Sequence, residues 1–335
     1  MPGPKMREIK IKSYAKINLA LDVIGLRDDG YHMLETVMQK IGLSDEISIK
    51  WQESTEDDFG IDLRAGKPYL PTDERNLAYR AAQLMVQKAN VRGRLEIRII
   101  KRIPVAAGLG GGSSNAAAVM TALNRLWKMN LNTWQLCKMG EQLGADIPFL
   151  VLVHNTRYRC ALCEETGEKM TALRHGMRKH IVLAKPAFGV STGEVFKGID
   201  SCELKERPDI EALIEGLKDG TDEKILCGMV NVLEEYTLNH YAEVRKLKEL
   251  MQKTERVQKV LMSGSGPTVF AVYGTYKEAK RACLLLRKRG YEAYWTQTIR
   301  DMEIGGKKDA EFCFTESQTV KGNRIRRTEK TNHDR

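Results

Sequence analysis

The run from Ile103 to Ala118, IPVAAGLGGGSSNAAA, holds the densest chemical signal in the chain. Four of the five residues from Gly108 to Gly112 lack a Cβ. Such a backbone can take positive φ, turn its N–H groups toward one point and let a phosphate approach without steric conflict. A helix starting near Ser113 adds unpaired N–H groups and the positive end of its dipole, and the hydroxyls of Ser113 and Ser114 can reach phosphate oxygens or a magnesium ion. A flexible turn is the plain alternative, but a strand followed by glycines, two hydroxyls and an alanine helix is more organised than a linker. The loop lacks the Gly-Lys-Ser/Thr ending of a Walker A pattern. It also fails the dinucleotide fingerprint, because Ser113 stands where the third glycine belongs.

Other candidates are individually weak. Ser263-Gly264-Ser265-Gly266-Pro267 interrupts an apolar strand, either as a hairpin or as a second phosphate-lining turn. Lys16 lies inside the first strand, Tyr31-His32 follows the Gly30 turn, and Asp146 sits two residues before Pro148. By default such a Lys is solvated, such a His structural and such an Asp a turn or cap. Cys160 and Cys163 form a CxxC with no second ligand pair at zinc spacing, and the seven cysteines read as reduced, mostly buried thiols.

The elements that position these residues follow from periodicity. Alternation from Ile9 predicts a strand through the Lys16 region, with further strand from Leu34 to Lys50 and at GIDLRAG. Thr72 or Asp73 is the expected cap of a helix carrying Leu77, Ala81, Leu84 and Met85. LEIRIIKRIP predicts a strand feeding the glycine loop, and two helices follow it. Downstream, the pattern predicts a strand before Pro186, helices at 207–218, 239–256 and 275–289, the strand broken at Ser263, and a last strand YEAYWTQTI.

Length and composition bound the class. At 335 residues, with 42% apolar and 29% charged, the chain suits two globular domains. The longest apolar runs, such as Phe149 to Val153, fall far short of the ~20 residues of a membrane span. The start, MPGPKMREIKIK, lacks a signal-peptide core, so a cytoplasmic protein is expected. The net charge of +10 leans on a basic end: residues 319–335 hold six Lys/Arg against Glu329 and Asp334. The remaining excess fits an enzyme of phosphorylated substrates, with no required nucleic acid and a weak polyanion contact at most from the tail.

Together, Ala15-Lys16-Ile17-Asn18-Leu19, Gly30-Tyr31-His32-Met33-Leu34 with Met38, Asn76-Leu77 with Arg80-Ala81-Ala82, Pro104 through Ala118, Leu143 through Phe149 and Ser263 through Val269 carry a resemblance. They resemble the galactokinase, homoserine kinase, mevalonate kinase and phosphomevalonate kinase (GHMP) superfamily. Within it they are similar to the 4-diphosphocytidyl-2-C-methyl-D-erythritol kinase family, across roughly residues 9–300. The resemblance implies an α+β, two-domain GHMP kinase. Its N-terminal ribosomal-protein-S5-like domain would span 1–170 and its C-terminal ferredoxin-like domain 171–300; the basic, loosely ordered tail 301–335, read from its charge and fading periodicity, has no counterpart in the family. The implied reaction moves the γ-phosphate of ATP, carried with Mg²⁺, to the 2-hydroxyl of a cytidine-diphosphate-linked methylerythritol, in the non-mevalonate route to isoprenoid precursors. Asp146 would take the alcohol's proton and Lys16 would stabilise the developing alkoxide. Asn18 would fix a substrate hydroxyl, Tyr31 and Phe196 would stack the cytosine, His32 would hydrogen-bond it, and Gly264, Ser265 and Gly266 would line the substrate. Pro104, Gly108, Leu109, Gly110, Gly111, Gly112, Ser113 and Ser114 would hold ATP's phosphates, with Asn76 and Lys101 at its adenosine end. A monomer or weak homodimer is expected. The chain departs from the family between Asp146 and Gly167, where VHNTRYRCALCEE runs longer and Glu165 stands where glycine is expected. Another GHMP kinase would share the loop but not the set Tyr31, His32 and Phe196. A non-catalytic polyanion-binding module would need aromatic and basic residues interleaved on one face.

Overall fold

The computed structural model describes residues 6–28, 30–54, 59–165, 167, 169–298 and 313–314. Strands β1 (Met6–Leu26) and β2 (His32–Glu53) form a long antiparallel hairpin, from Met6 opposite Gln52 to Leu26 opposite His32. Register shifts between Tyr14 and Lys16 and between Asn18 and Ala20 bracket the short stretch that carries Lys16 and Asn18. Such bulges twist a strand and re-aim its side chains. After β3 (Phe59–Arg64), helix α1 (Leu77–Ala89) leads into β4 (Gly93–Ile100). The glycine loop follows β4, then α2 (Gly111–Leu126), α3 (Thr133–Glu141), α4 (Ile147–Asn155), β5 (Cys160–Glu165) and β6 (Lys169–Leu173). The second edge of β2 is shared: β5 pairs with Leu34–Gln39 and β4 with Glu46–Glu53.

The second sheet begins with β7 (His180–Lys185). Helices α5 (Thr192–Ile199), α6 (Ile210–Asp219), α7 (Asp222–Gly228), α8 (Glu234–His240) and α9 (Ala242–Gln252) come next. Then follow β8 (Lys259–Met262), β9 (Val269–Tyr273), α10 (Tyr276–Lys288) and β10 (Glu292–Gln297), giving the antiparallel order β10-β7-β9-β8. A two-residue β11 (Cys313–Phe314) returns to the first sheet beside β6. The rest of the expected tail lies outside the described residues. Among the described residues no helix is long and apolar enough to cross a membrane.

Three cores hold this arrangement. One lies between the first sheet and α1 to α4, a second between β7 to β10 and their helices, and a third at the junction, where Ile17 and Leu19 of β1 meet Met177, Leu183, Leu213 and Phe270. Helix α2 is buried nearly all round, and its Ala116, Ala117 and Ala118 are 0% exposed, so small side chains let neighbours approach on every face. The start of α1 corrects the expected cap. Asp73 bonds Arg75 and closes a turn with the N–H of Asn76, and Asn76 itself caps the helix by accepting from Ala78 N. The Asp146-Pro148 stretch, whose default reading was a turn or cap, opens a nine-residue helix, with Asp146 at its N-cap and Pro148 in its first turn.

Candidate active site

Lys16 and Asn18 share a face of β1 because side chains alternate along a strand. Lys16 Nζ donates to Asn18 Oδ1 at 2.9 Å, Asn18 Nδ2 donates to Thr36 Oγ1 at 2.9 Å, and Thr36 Oγ1 donates to Ala20 O at 2.6 Å. This relay turns the amide oxygen of Asn18 toward the ammonium. Lys16 Nζ also stands 3.4 Å from Asp146 Oδ1, and their side chains are 5% and 31% exposed. Asp146 makes no side-chain cap bond to its own helix, so its carboxylate is left for the ion pair and the cavity.

The glycine loop meets this pair from above. Gly110, at φ +64°, caps α2, and a Cβ there would lie 3.1 Å from Lys16 Cγ and 3.3 Å from Asp146 Oδ2. With no side chain capping α2, the N–H groups of its first turn remain available at the positive end of the dipole. Gly108 is needed for a different reason: a Cβ would lie 2.0 Å from Ser263 O. The two glycine turns therefore pack directly on each other, and Ser263 Oγ donates to Gly108 O at 3.0 Å. Buried Asn231 holds the second turn by donating to Met262 O and Gly264 O at 2.9 and 2.8 Å.

A cavity of about 520 Å³ runs between the two sheets over these turns. Lys16, Asn18, Asn76, Lys101, Pro104, Gly108, Leu109, Gly110, Gly111, Gly112, Ser113, Asp146, Phe196, Gly264 and Ser265 all line it. Among its described lining residues Asp146 is the one carboxylate, against the cations Lys16, Arg75 and Lys101. That balance suits a polyanionic ligand. At the far end Asn76 Nδ2 donates to Pro71 O at 2.8 Å, and Lys101 Nζ donates to Asp45 Oδ2 at 2.5 Å. Burial pushes the Lys101 ammonium below the ordinary lysine range, and Asp45 opposes that shift.

Four expected contacts stand outside the lining. Ser114 is 0% exposed, its hydroxyl donating to Tyr14 O at 2.6 Å and accepting from Ser13 Oγ at 2.8 Å, so it binds α2 to β1 and not a phosphate. Gly266, at φ +82°, closes the second turn by donating its N–H to Ser263 O at 3.0 Å. His32 Nε2 lies 2.8 Å from Asp200 Oδ1, and its ring leans on Phe196 at 5.4 Å. Tyr31 is 67% exposed, so its ring reaches solvent where the expected stack needs a covered base.

Sequence reasoning missed the supports beneath the loop. Asp45 is 0% exposed and accepts from Arg102 N and Ile103 N at 2.7 and 2.8 Å, and from Asn115 Nδ2 at 2.8 Å, besides Lys101. An acid inside an apolar strand was its signal. Thr36 and Asn231 carried none, because small polar residues in such runs are common. The departure at Glu165 also has a structural expression: it holds φ +61°, a region that suits glycine, in the turn leading to Gly167. Gly167 lines the cavity, and a Cβ on it would lie 2.9 Å from Ala145 O, beside Asp146. Cys160 and Cys163 are buried, and burial pushes the Cys163 thiol up, which makes a thiolate costly.

Comparison with known proteins places this geometry. Residues 76–153 match the GHMP kinases N terminal domain and residues 204–292 the GHMP kinases C terminal. A 4-diphosphocytidyl-2-C-methyl-D-erythritol kinase of Clostridium novyi is 40% identical over 86% of this chain and 99% of its own. One from Caldicellulosiruptor bescii is 42% identical over 83% and 94%. A crystal structure of 4-(cytidine 5'-diphospho)-2C-methyl-D-erythritol kinase superposes with a TM-score of 0.72 at 31% identity, covering 87% of this chain and all of that one. Homoserine kinase from Cytophaga hutchinsonii shares the fold, with a TM-score of 0.66 at 16% identity over 88% of this chain and 95% of that one. With its α+β, two-domain architecture and its matches over most of the length of these relatives, the chain belongs to the 4-diphosphocytidyl-2-C-methyl-D-erythritol kinase family of GHMP kinases.

Proposed function

We propose that the protein transfers the γ-phosphate of ATP to the 2-hydroxyl of 4-diphosphocytidyl-2-C-methyl-D-erythritol, a step toward isoprenoid precursors. The observation that carries this reading is the Lys16–Asp146 pair at 3.4 Å against the open N-terminus of α2. Phosphoryl transfer through a loose transition state asks for positioning and charge compensation more than covalent help. Asp146 takes the alcohol's proton as the new P–O bond forms. Lys16 compensates the developing alkoxide, and Asn18, its oxygen already committed to Lys16, orients the substrate's hydroxyls through its remaining N–H. The α2 N–H groups and the Ser113 hydroxyl hold the phosphates, while Asn76 and Lys101 face the adenosine.

Magnesium fits as a passenger of the nucleotide. Among the described residues no cluster of three or more His, Cys, Asp or Glu could hold a metal by itself. A cation that keeps phosphate and water ligands needs only one or two protein oxygens, and the Ser113 hydroxyl offers one. When bound, it would neutralise charge on the phosphates. For the base, Phe196 and the His32 ring form one wall, and the Tyr31 ring, exposed beside His32, would close over the cytosine once it is bound.

The test is phosphate transfer from ATP to the cytidylyl substrate, homoserine and mevalonate in parallel; turnover with the cytidylyl substrate alone is expected. Asp146→Asn is expected to lower kcat by about 10² or more, the scale of a lost general base, with ATP affinity nearly unchanged by equilibrium binding. Retained turnover would remove Asp146 from the mechanism.

A further inference from the structure

A second cavity, of about 390 Å³, lies behind the phosphate loop, between the end of β4 and the ends of β7 and β10. It shares only Lys101, Pro104 and Val105 with the first cavity. Its unusual member is Lys185, the last residue of β7, whose side chain is 7% exposed. The ammonium at the end of this buried side chain has three N–H donors to place. Lys185 Nζ has one ionic contact, Glu292 Oε2 at 3.5 Å, beyond good hydrogen-bond distance. Glu292 is itself 44% exposed and accepts from Tyr294 Oη at 2.7 Å. Among the described residues, no hydrogen bond to Lys185 Nζ is formed.

Two other cations of this wall are already compensated, Lys101 by Asp45 and Arg102 by Glu46 at 2.8 Å. The charge left to a ligand is therefore that of Lys185, joined at the mouth by exposed Lys67, against the single carboxylate Glu292. Tyr69 and Phe188 supply flat apolar surface beside these cations. We propose that this cavity binds a small organic phosphate, its phosphoryl group on Lys185 and Lys67 and its organic part against the aromatic walls. The site is distinct from the one that takes ATP.

The test uses the full-length protein with a non-hydrolysable ATP analogue held at saturation, so that the first cavity is filled. Binding of that analogue, measured beforehand, tests the nucleotide reading separately. Calorimetric titration with phenyl phosphate is then expected to show one equivalent bound, several-fold more tightly than inorganic phosphate. Lys185→Met is expected to weaken binding about tenfold or more, as for a lost charged hydrogen bond. Glu292→Gln is expected to strengthen it about threefold, as for removal of a half-exposed opposing charge. Damage to the fold cannot produce both changes, because they run in opposite directions. No binding beyond the analogue, equal affinity for inorganic and phenyl phosphate, or unchanged affinity in the two variants would overturn the proposal.

Discussion

Lys40, paired with Lys16 across the β1–β2 hairpin, shows how far a charged residue can be bent by its surroundings. It is 5% exposed, its Nζ donates to Val153 O at 3.2 Å and lies 3.9 Å from the centre of the Tyr14 ring. Burial, with a smaller push from Arg159, lowers its pKa from the ordinary 10.5 to about 7. In the unfolded chain the amine keeps its proton up to the higher value, so between about 7 and 10.5 the unfolded state binds more protons. Stability from this group therefore rises with pH through that window, and the full penalty is present below it. Lys40→Met removes the penalty and loses the hydrogen bond and ring contact. Urea unfolding of both proteins from pH 6.5 to 10 is expected to show the variant's relative stability falling as pH rises, by a few kcal/mol at most. A difference that does not change with pH would show that Lys40 stays charged in the fold.

At the scale of elements, the glycine loop is held less by its glycines than by what anchors both its ends. Asp45 of β2 ties the entry through Arg102 N, Ile103 N and Lys101, and reaches the exit through Asn115 of α2. Ser13 and Ser114 continue that buried chain to the backbone of β1, two residues before Lys16. Ser114→Ala should therefore act on stability and not on nucleotide binding. It takes a donor from Tyr14 O and the acceptor from the Ser13 hydroxyl proton, at a cost of about 1–3 kcal/mol. The ATP KM is expected to stay within about twofold, which steady-state kinetics beside a urea titration would check; a tenfold rise in KM would return Ser114 to the phosphates. This division of labour between Ser113 and Ser114 was not legible in the sequence, because adjacent hydroxyls at a helix start look alike until the helix phase is known. What was legible depended on strong local signals: the alternation of β1, the glycines, and the alanine face of α2. The start of α1 was misread because Thr72 and Asp73 are equally good caps by type, and the intervening turn through Arg75 decides for Asn76. Partners far apart in the chain, such as Asn231 for the Gly264 turn, follow only from how the two sheets meet.

The whole molecule depends on that meeting, since the cavity has walls from both sheets. Beyond the junction core, Leu21 of β1 exchanges backbone bonds with Val230 and Val232, and Arg207 Nη1 donates to Asp22 Oδ1 at 2.8 Å. These contacts make β1 a member of both halves, so Lys16 is positioned by the first sheet and the Gly264 turn at once. Among the described residues none of the cavity's lining lies beyond Ser265, and the described contact of the C-terminal segment is β11, two residues paired with Thr171 and Met170. Its charge is its notable property, with six Lys/Arg against two acids in 319–335. Deleting residues 305–335 is therefore expected to leave kcat and both KM values within about twofold, since no described contact to the reacting groups is lost. The same deletion is expected to lower the salt concentration needed for elution from heparin, because basic charge governs such retention. Loss of most of the activity would show that the two-residue strand on β6 supports the turn at Gly167, and through it the residue beside Asp146. Unchanged elution would place the polyanion affinity on residues 1–304, which hold most of the chain's Lys and Arg.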